Sequence, residues 1–143
     1  MHIIRIRKKF RILILLGECA MLQGVCYLYG NQEIPALHGT VTFREARKNY
    51  VCFEIDVQGI SDRNLYGLSV GDILFPPICP DEQGRIQVIF CRKNWKIDAY
   101  AGLQVCLFRY EQQYPNLNSK HKTVALGTVR KLICGGGNYL NEV

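Results

Sequence analysis

No two of the seven cysteines (19, 26, 52, 79, 91, 106 and 134) are spaced C-x-x-C, and His2, His38 and His121 stand apart from them and from carboxylates. A zinc site needs paired ligand spacings, and a closed disulfide framework needs an even number of cysteines, so neither organises this chain. The expectation is no protein-held metal, with reduced cysteines serving as small apolar side chains in a reducing compartment. Long apolar runs are missing too. The longest aliphatic run, Ile12 to Leu16, stops at Gly17-Glu18. It falls short of the roughly 20 residues of a membrane-spanning helix and of the roughly 7–15 of a secretion-signal core. No membrane span is expected, and the chain reads as unsecreted. There is also no phosphate-loop motif, no Gly-x-Ser-x-Gly, and no Cys–His spacing of a nucleophile and its base, so no motif names a reaction.

What is present suits one folded domain: 143 residues, 48% hydrophobic and 21% charged. The net charge of +6 is localised. Arg5, Arg7, Lys8, Lys9 and Arg11 lie in a segment without acids, leaving 13 basic and 12 acidic side chains elsewhere. The body is therefore nearly neutral, unlike the basic face interleaved with aromatics that tracks a nucleic-acid backbone. Residues 1–11 read as a basic arm or solvated edge strand, and nucleic acid is not the expected partner.

Tyr50 to Val57 alternates, placing Val51, Phe53, Ile55 and Val57 on one face and Cys52, Glu54 and Asp56 on the other, which predicts a half-buried strand. Arg85 to Phe90 repeats the pattern, adding Ile86, Val88 and Phe90 to the core. Thr40 to Phe43, Leu103 to Arg109 and Thr123 to Ile133 are also rich in β-branched or large apolar residues. Turn signals punctuate them: Gly30-Asn31, Gly59, Gly71-Asp72, Pro76-Pro77, Pro80-Asp81, Gly102 and Pro115-Asn116. Short strands so separated predict an all-β sandwich, jelly roll or barrel. Asp98 to Gly102 suits one helical turn or a loop, Tyr110 to Lys122 reads as a polar surface loop, and Gly135 to Gly137 makes residues 135–143 a flexible tail around a domain spanning 12–134.

Several segments, in order, resemble the dUTPase superfamily. Asp81 to Phe108 resembles its D-x-x-G-x-I/V-x-V-x-x-F stretch and the strand after it. Gly24-Val25-Cys26-Tyr27-Leu28-Tyr29-Gly30 is similar to G-Y-D-L-Y-A, Ile34-Pro35 with Gly39 to an I-P-P-G turn, and Tyr66-Gly67 to the Y-G that precedes P-R-S-G. The resemblance implies a jelly-roll-like distorted β-barrel, usually trimeric, that hydrolyses dUTP to dUMP and pyrophosphate with magnesium on the nucleotide.

The functional positions depart from that pattern. Tyr27 stands for an acid, Gly71-Asp72-Ile73-Leu74 for the P-R-S-G loop, Cys79 for the water-activating aspartate, and Glu82 for the tyrosine under the deoxyribose. Gly102-Leu103-Gln104 replaces G-D-R, so Gln104 stands for the arginine. A neutral thiol is a poor base, and no cation remains at these positions to clamp developing charge. No catalytic residue and no cofactor are therefore expected. An active enzyme would have to recruit Asp81 or Asp72 as base and Arg85, Arg92 or Lys93 as clamps.

With its site degraded, the chain most resembles the dUTPase-derived adenoviral early-region-four proteins of the first open reading frame. That likeness implies a non-catalytic adaptor, a homotrimer in the host cytoplasm or nucleus, that binds host signalling or PDZ-domain polarity proteins. Leu140-Asn141-Glu142-Val143 offers a valine and carboxylate to a PDZ groove, with Asn141 where a hydroxyl is usual. Main binding is expected on the folded domain, with the loop from Tyr110 to Lys122 as its first candidate.

Overall fold

The computed structural model describes residues 2–5, 21–46, 50–93, 99–111, 120–135 and 139–142. Among them the strands are β1 (His2–Arg5), β2 (Met21–Tyr29), β3 (His38–Ala46), β4 (Tyr50–Gln58), β5 (Tyr66–Val70), β6 (Ile73–Leu74), β7 (Ile86–Arg92), β8 (Gln104–Glu111), β9 (Lys120–Thr128), β10 (Arg130–Gly135) and β11 (Tyr139–Glu142). They pair antiparallel in two sheets, one ordered β1-β7-β4-β3-β2-β10-β11 and the other β6-β5-β8-β9. The all-β expectation therefore holds.

All seven residues expected in the core are buried. Alternation aims Val51, Phe53, Ile55 and Val57 inward, where they share one apolar cluster with Val41, Phe43, Ile86, Val88 and Phe90 of the large sheet and with Leu68, Val70, Val105 and Leu107 of the small one. Phe53 holds the centre, with Phe43, Phe75 and Tyr100 edge-on at 5.0, 5.1 and 4.9 Å between ring centroids, the geometry the ring quadrupoles favour.

The opposite face of β4 is not wet. Cys52 and Glu54 are buried, as are Ile89 and Cys91 beside them on β7, because β4 lies between β3 and β7 and its side chains are screened from both sides. The stretch from Thr123 to Ile133 is not one strand either. Val129 donates to the Leu103 carbonyl at 2.9 Å and accepts from Gly102 at 2.9 Å, so the chain leaves the small sheet there. It enters the large one as β10, where Arg130 and Lys131 pair with Val25 and Gly24.

The presumed flexible tail contains β11, whose Tyr139–Glu142 pair with Leu132–Gly135 of β10. Gly135 ends β10, and residues 136–138 lie outside the described residues. Of the presumed loop, Tyr110 and Glu111 end β8 and Lys120 to Lys122 begin β9; residues 112–119 lie outside the described set. Within the basic segment, His2–Arg5 form an edge strand on β7, and residues 6–11 are not described. Asp98 is likewise outside, and Ala99 to Gly102 form a turn closed by Leu103 donating to the Tyr100 carbonyl at 3.0 Å.

Where β9 crosses β2 the backbones nearly touch. A Cβ on Gly127 would fall 2.5 Å from both the Cys26 sulfur and the Tyr27 carbonyl oxygen. Two outcomes are expected in denaturant titrations. Phe53→Ala costs about 3–5 kcal/mol, and a change within error would contradict its central position. Gly127→Ala costs about 1–3 kcal/mol by overpacking, and a neutral or stabilising result would show that β9 can lift off β2.

Candidate functional site

Tyr27 and Tyr29 are two residues apart on β2, so both rings leave the outer face while Cys26 and Leu28 fill the core. Tyr27 is 39% and Tyr29 69% exposed, unusual for large aromatic side chains. The switch from β9 to β10 brings Gly127, Thr128 and Arg130 alongside, and these five residues line an open groove of about 380 Å³. Gly127 is one wall because only a residue without a side chain fits against β2. Behind that wall, burial pushes the Cys26 thiol up to about 12 despite the opposing pull of Arg130, so it stays protonated and supplies no nucleophile.

The outer face extends the groove along the register. Beside Tyr29 come His38 and Gln58, and beside Tyr27 come Thr40, Asp56 and Gln87. His38 Nδ1 meets the Ala36 carbonyl at 3.0 Å and so carries the proton, leaving Nε2 to accept from the Gln58 amide at 2.9 Å. Arg85 donates twice to the Asp56 carboxylate, at 3.1 and 3.0 Å. This bond is the main reason the guanidinium is held above its ordinary value.

The positions singled out in the sequence divide into two groups. Tyr27 lines the groove; Gln104 pairs with Thr128, another lining residue. Gly71 donates to the Gln104 carbonyl at 2.9 Å, which sets Asp72 beside it in the β5–β6 turn. Cys79 lies at the other end of β5, next to Ile78, which bridges Tyr66. The five residues of β5, about 15 Å of strand, thus separate Cys79 from Asp72. Cys79 is exposed and its sulfur lies 3.5 Å from the Pro80 carbonyl.

Asp81 is occupied by its own turn: one carboxylate oxygen accepts the backbone N–H of Gln83 and of Arg85, each at 2.9 Å. Glu82 is exposed on that turn. Arg92 and Lys93 stand at the far end of β7, about 23 Å of strand from Arg85, so the three candidate clamps do not converge within one chain. Leu140, Asn141 and Glu142 belong to β11, and Val143 is not described. Sequence reading missed Tyr29, His38 and Arg130. Pairing of β10 with β2 creates the groove, and no local pattern signals that long-range contact.

A second cluster surrounds Arg109, only 15% exposed on β8. Its guanidinium meets Asp62 at 3.2 Å, Glu111 at 3.0 Å and Glu33 at 3.6 Å, while Lys122 holds the other Glu33 oxygen at 2.7 Å. Burial first, and the Asp62 bond second, push the Tyr66 phenol above its ordinary value, so it stays protonated and donates to Asp62 at 2.8 Å. These charges answer one another and tie the loops before β3 and β5 to β8 and β9.

Among the described residues no group of three or more His, Cys, Asp or Glu is placed to hold a metal ion, and no helix is long and apolar enough to cross a membrane. No protein-family model matches the chain, and no curated protein does.

The Lys122 hydrogen bond and charge are the main forces holding the Glu33 carboxyl below its ordinary 4.5. A carboxyl depressed by folding stabilises the native state above its unfolded pKa, and that contribution is lost as pH falls through the folded value. Thermal unfolding followed from about pH 7 to about pH 3 should therefore fall more steeply in the wild type than in Glu33→Gln. Equal slopes would mean that the bridge contributes nothing to folding.

Proposed function

We propose that this chain is a non-catalytic interaction module, a dUTPase-like β-fold of the jelly-roll kind that works as an adaptor on host proteins. This is the role of the dUTPase-derived adenoviral early proteins it resembles. The observation that carries the reading is the exposed Tyr27–Tyr29 pair beside Arg130 on an open groove. Tyrosine and arginine are the residues enriched at binding hot spots, since each buries a large area while keeping a polar handle. A guanidinium and two phenol rings line the groove, a chemistry that suits an extended partner segment presenting a carboxylate between apolar side chains.

The reading also draws on how the substitute catalytic groups are employed. Asp81 caps its turn and Arg85 grips Asp56, so recruiting either for hydrolysis would break a structural contact. In the same reading the chain is a homotrimer in the host cytoplasm or nucleus, and it needs no cofactor.

Purified chain incubated with dUTP and magnesium should release pyrophosphate at the rate of buffer alone. Robust release, abolished by Asp81→Asn, would establish a nucleotide hydrolase instead. In the binding arm, partner capture from host extract is compared between the wild type, Tyr29→Ala with Arg130→Ala, and a chain lacking Asn141 to Val143. The groove variant should lose affinity by about thirtyfold or more, a hot-spot-sized effect, and the truncated chain should retain its partners. Loss on truncation alone would place binding in the tail.

A further inference from the structure

Two of the cysteines that the groove does not use face each other. Cys52 on β4 and Cys91 on β7 are directly opposed in the register, 39 positions apart in sequence, with sulfurs 2.6 Å apart and both side chains buried. Directly opposed residues of an antiparallel pair have Cα atoms about 4.5 or 5.5 Å apart. Either separation lies within the roughly 4.4–6.8 Å span of a disulfide, so a bridge here requires no backbone movement. The other described thiols have no such partner. Cys26 lies near the Tyr27 carbonyl, Cys79 near that of Pro80, and Cys106 near the Thr123 hydroxyl.

We propose that Cys52 and Cys91 form a reversible dithiol–disulfide site that is oxidised by hydroperoxide and closes as a covalent staple between β4 and β7. At this separation either thiol can donate to the other, so a thiolate formed on one sulfur is stabilised by a hydrogen bond from its neighbour. Arg44 stands opposite Cys52 on β3, on the side away from Cys91.

Either sulfur can be the attacking one. Its thiolate displaces hydroxide from hydrogen peroxide, breaking the O–O bond and forming a sulfenic acid. The opposing thiol then attacks that sulfur, the S–O bond breaks, the disulfide forms, and the departing hydroxide takes that thiol's proton as water. Two thiols and one peroxide give one disulfide and two waters. Two equivalents of a small thiol reverse the change by exchange. In a reducing compartment the pair rests as the dithiol and closes transiently under oxidative load.

The test treats the full chain with hydrogen peroxide, alkylates the remaining thiols in denaturant and maps the peptides. Two thiols should disappear together, joined as Cys52–Cys91 and restored by dithiothreitol. The oxidised chain should melt on the order of 10 °C higher, as expected for closing a loop of this length. In Cys52→Ser dimedone should label Cys91, and in Cys91→Ser it should label Cys52. Oxidation confined to Cys79 while Cys52 and Cys91 remain alkylatable would overturn the proposal in the wild type alone, whether or not either variant folds. Linkage of either cysteine to a different partner would also overturn it.

Discussion

The close approach of β9 to β2 at Gly127 is the constraint on which the rest of the arrangement depends. Two sheets that packed only through their apolar faces would lie about 10 Å apart. Here one corner is pinched until a Cβ has no room. The pinch is reinforced by backbone: Asn31 donates from its main chain to the Val124 carbonyl and from its side chain to that of Thr123, each at 2.8 Å, and Gly30 bridges Ala125. Held against β2 in this way, the chain is already beside the large sheet when it leaves the small one at Val129. Continuing as β10 is then the short route. The groove is what remains outside the pinch: a wall of glycine backbone, with tyrosines from one strand and an arginine from the other standing over it.

Charge is distributed to the same effect. Beyond the N-terminal segment the acids and bases nearly cancel, and the structure couples them locally: Asp56 with Arg85, and Glu33, Asp62 and Glu111 with Arg109 and Lys122. A surface that is to grip a triphosphate needs several cations converging on one point. These cations instead serve as ties between strands and loops. Exposed pairs of this kind contribute little stability individually, typically below about 1 kcal/mol, but they fix loop positions. The aromatic and amide groups of Tyr27, Tyr29, Gln58 and Gln87 are the distinctive chemistry of the outer face.

How much of this was legible in the sequence depends on range. Val51 to Val57 and Ile86 to Phe90 announce themselves because period-2 alternation is a local property and tertiary context did not overrule it. The same alternation misjudged Cys52 and Glu54, since it reports which side chains share a face and not whether that face is covered. Tyr27 could be singled out through a resemblance. Tyr29 and Arg130 could not, because their meeting requires the β10–β2 pairing across about a hundred residues of chain. The Cys52–Cys91 opposition is hidden for the same reason: it follows from register, which neighbouring residues do not encode. The tail was misread because flexibility was inferred from composition, while Tyr139 to Glu142 pair with a strand already docked in the large sheet.

That last hairpin bears on how a carboxyl-terminal segment could bind. A PDZ domain captures a ligand by adding it as a strand, which uses the main-chain donors and acceptors along one edge of the ligand. In β11 the edge facing β10 is engaged from Tyr139 to Glu142, whereas the opposite edge closes the sheet order without a neighbour among the described strands. Capture must either use that outer edge with β11 still docked or peel β11 from β10 and forfeit its ladder. The first route confines the partner to a direction and face set by the large sheet. The second subtracts the lost hydrogen bonds, about 0.5–1.5 kcal/mol each, from an interaction that Asn141 already weakens by replacing a hydroxyl donor. Both routes disadvantage the tail against the groove, whose tyrosines and arginine are carried by strands already docked in the large sheet.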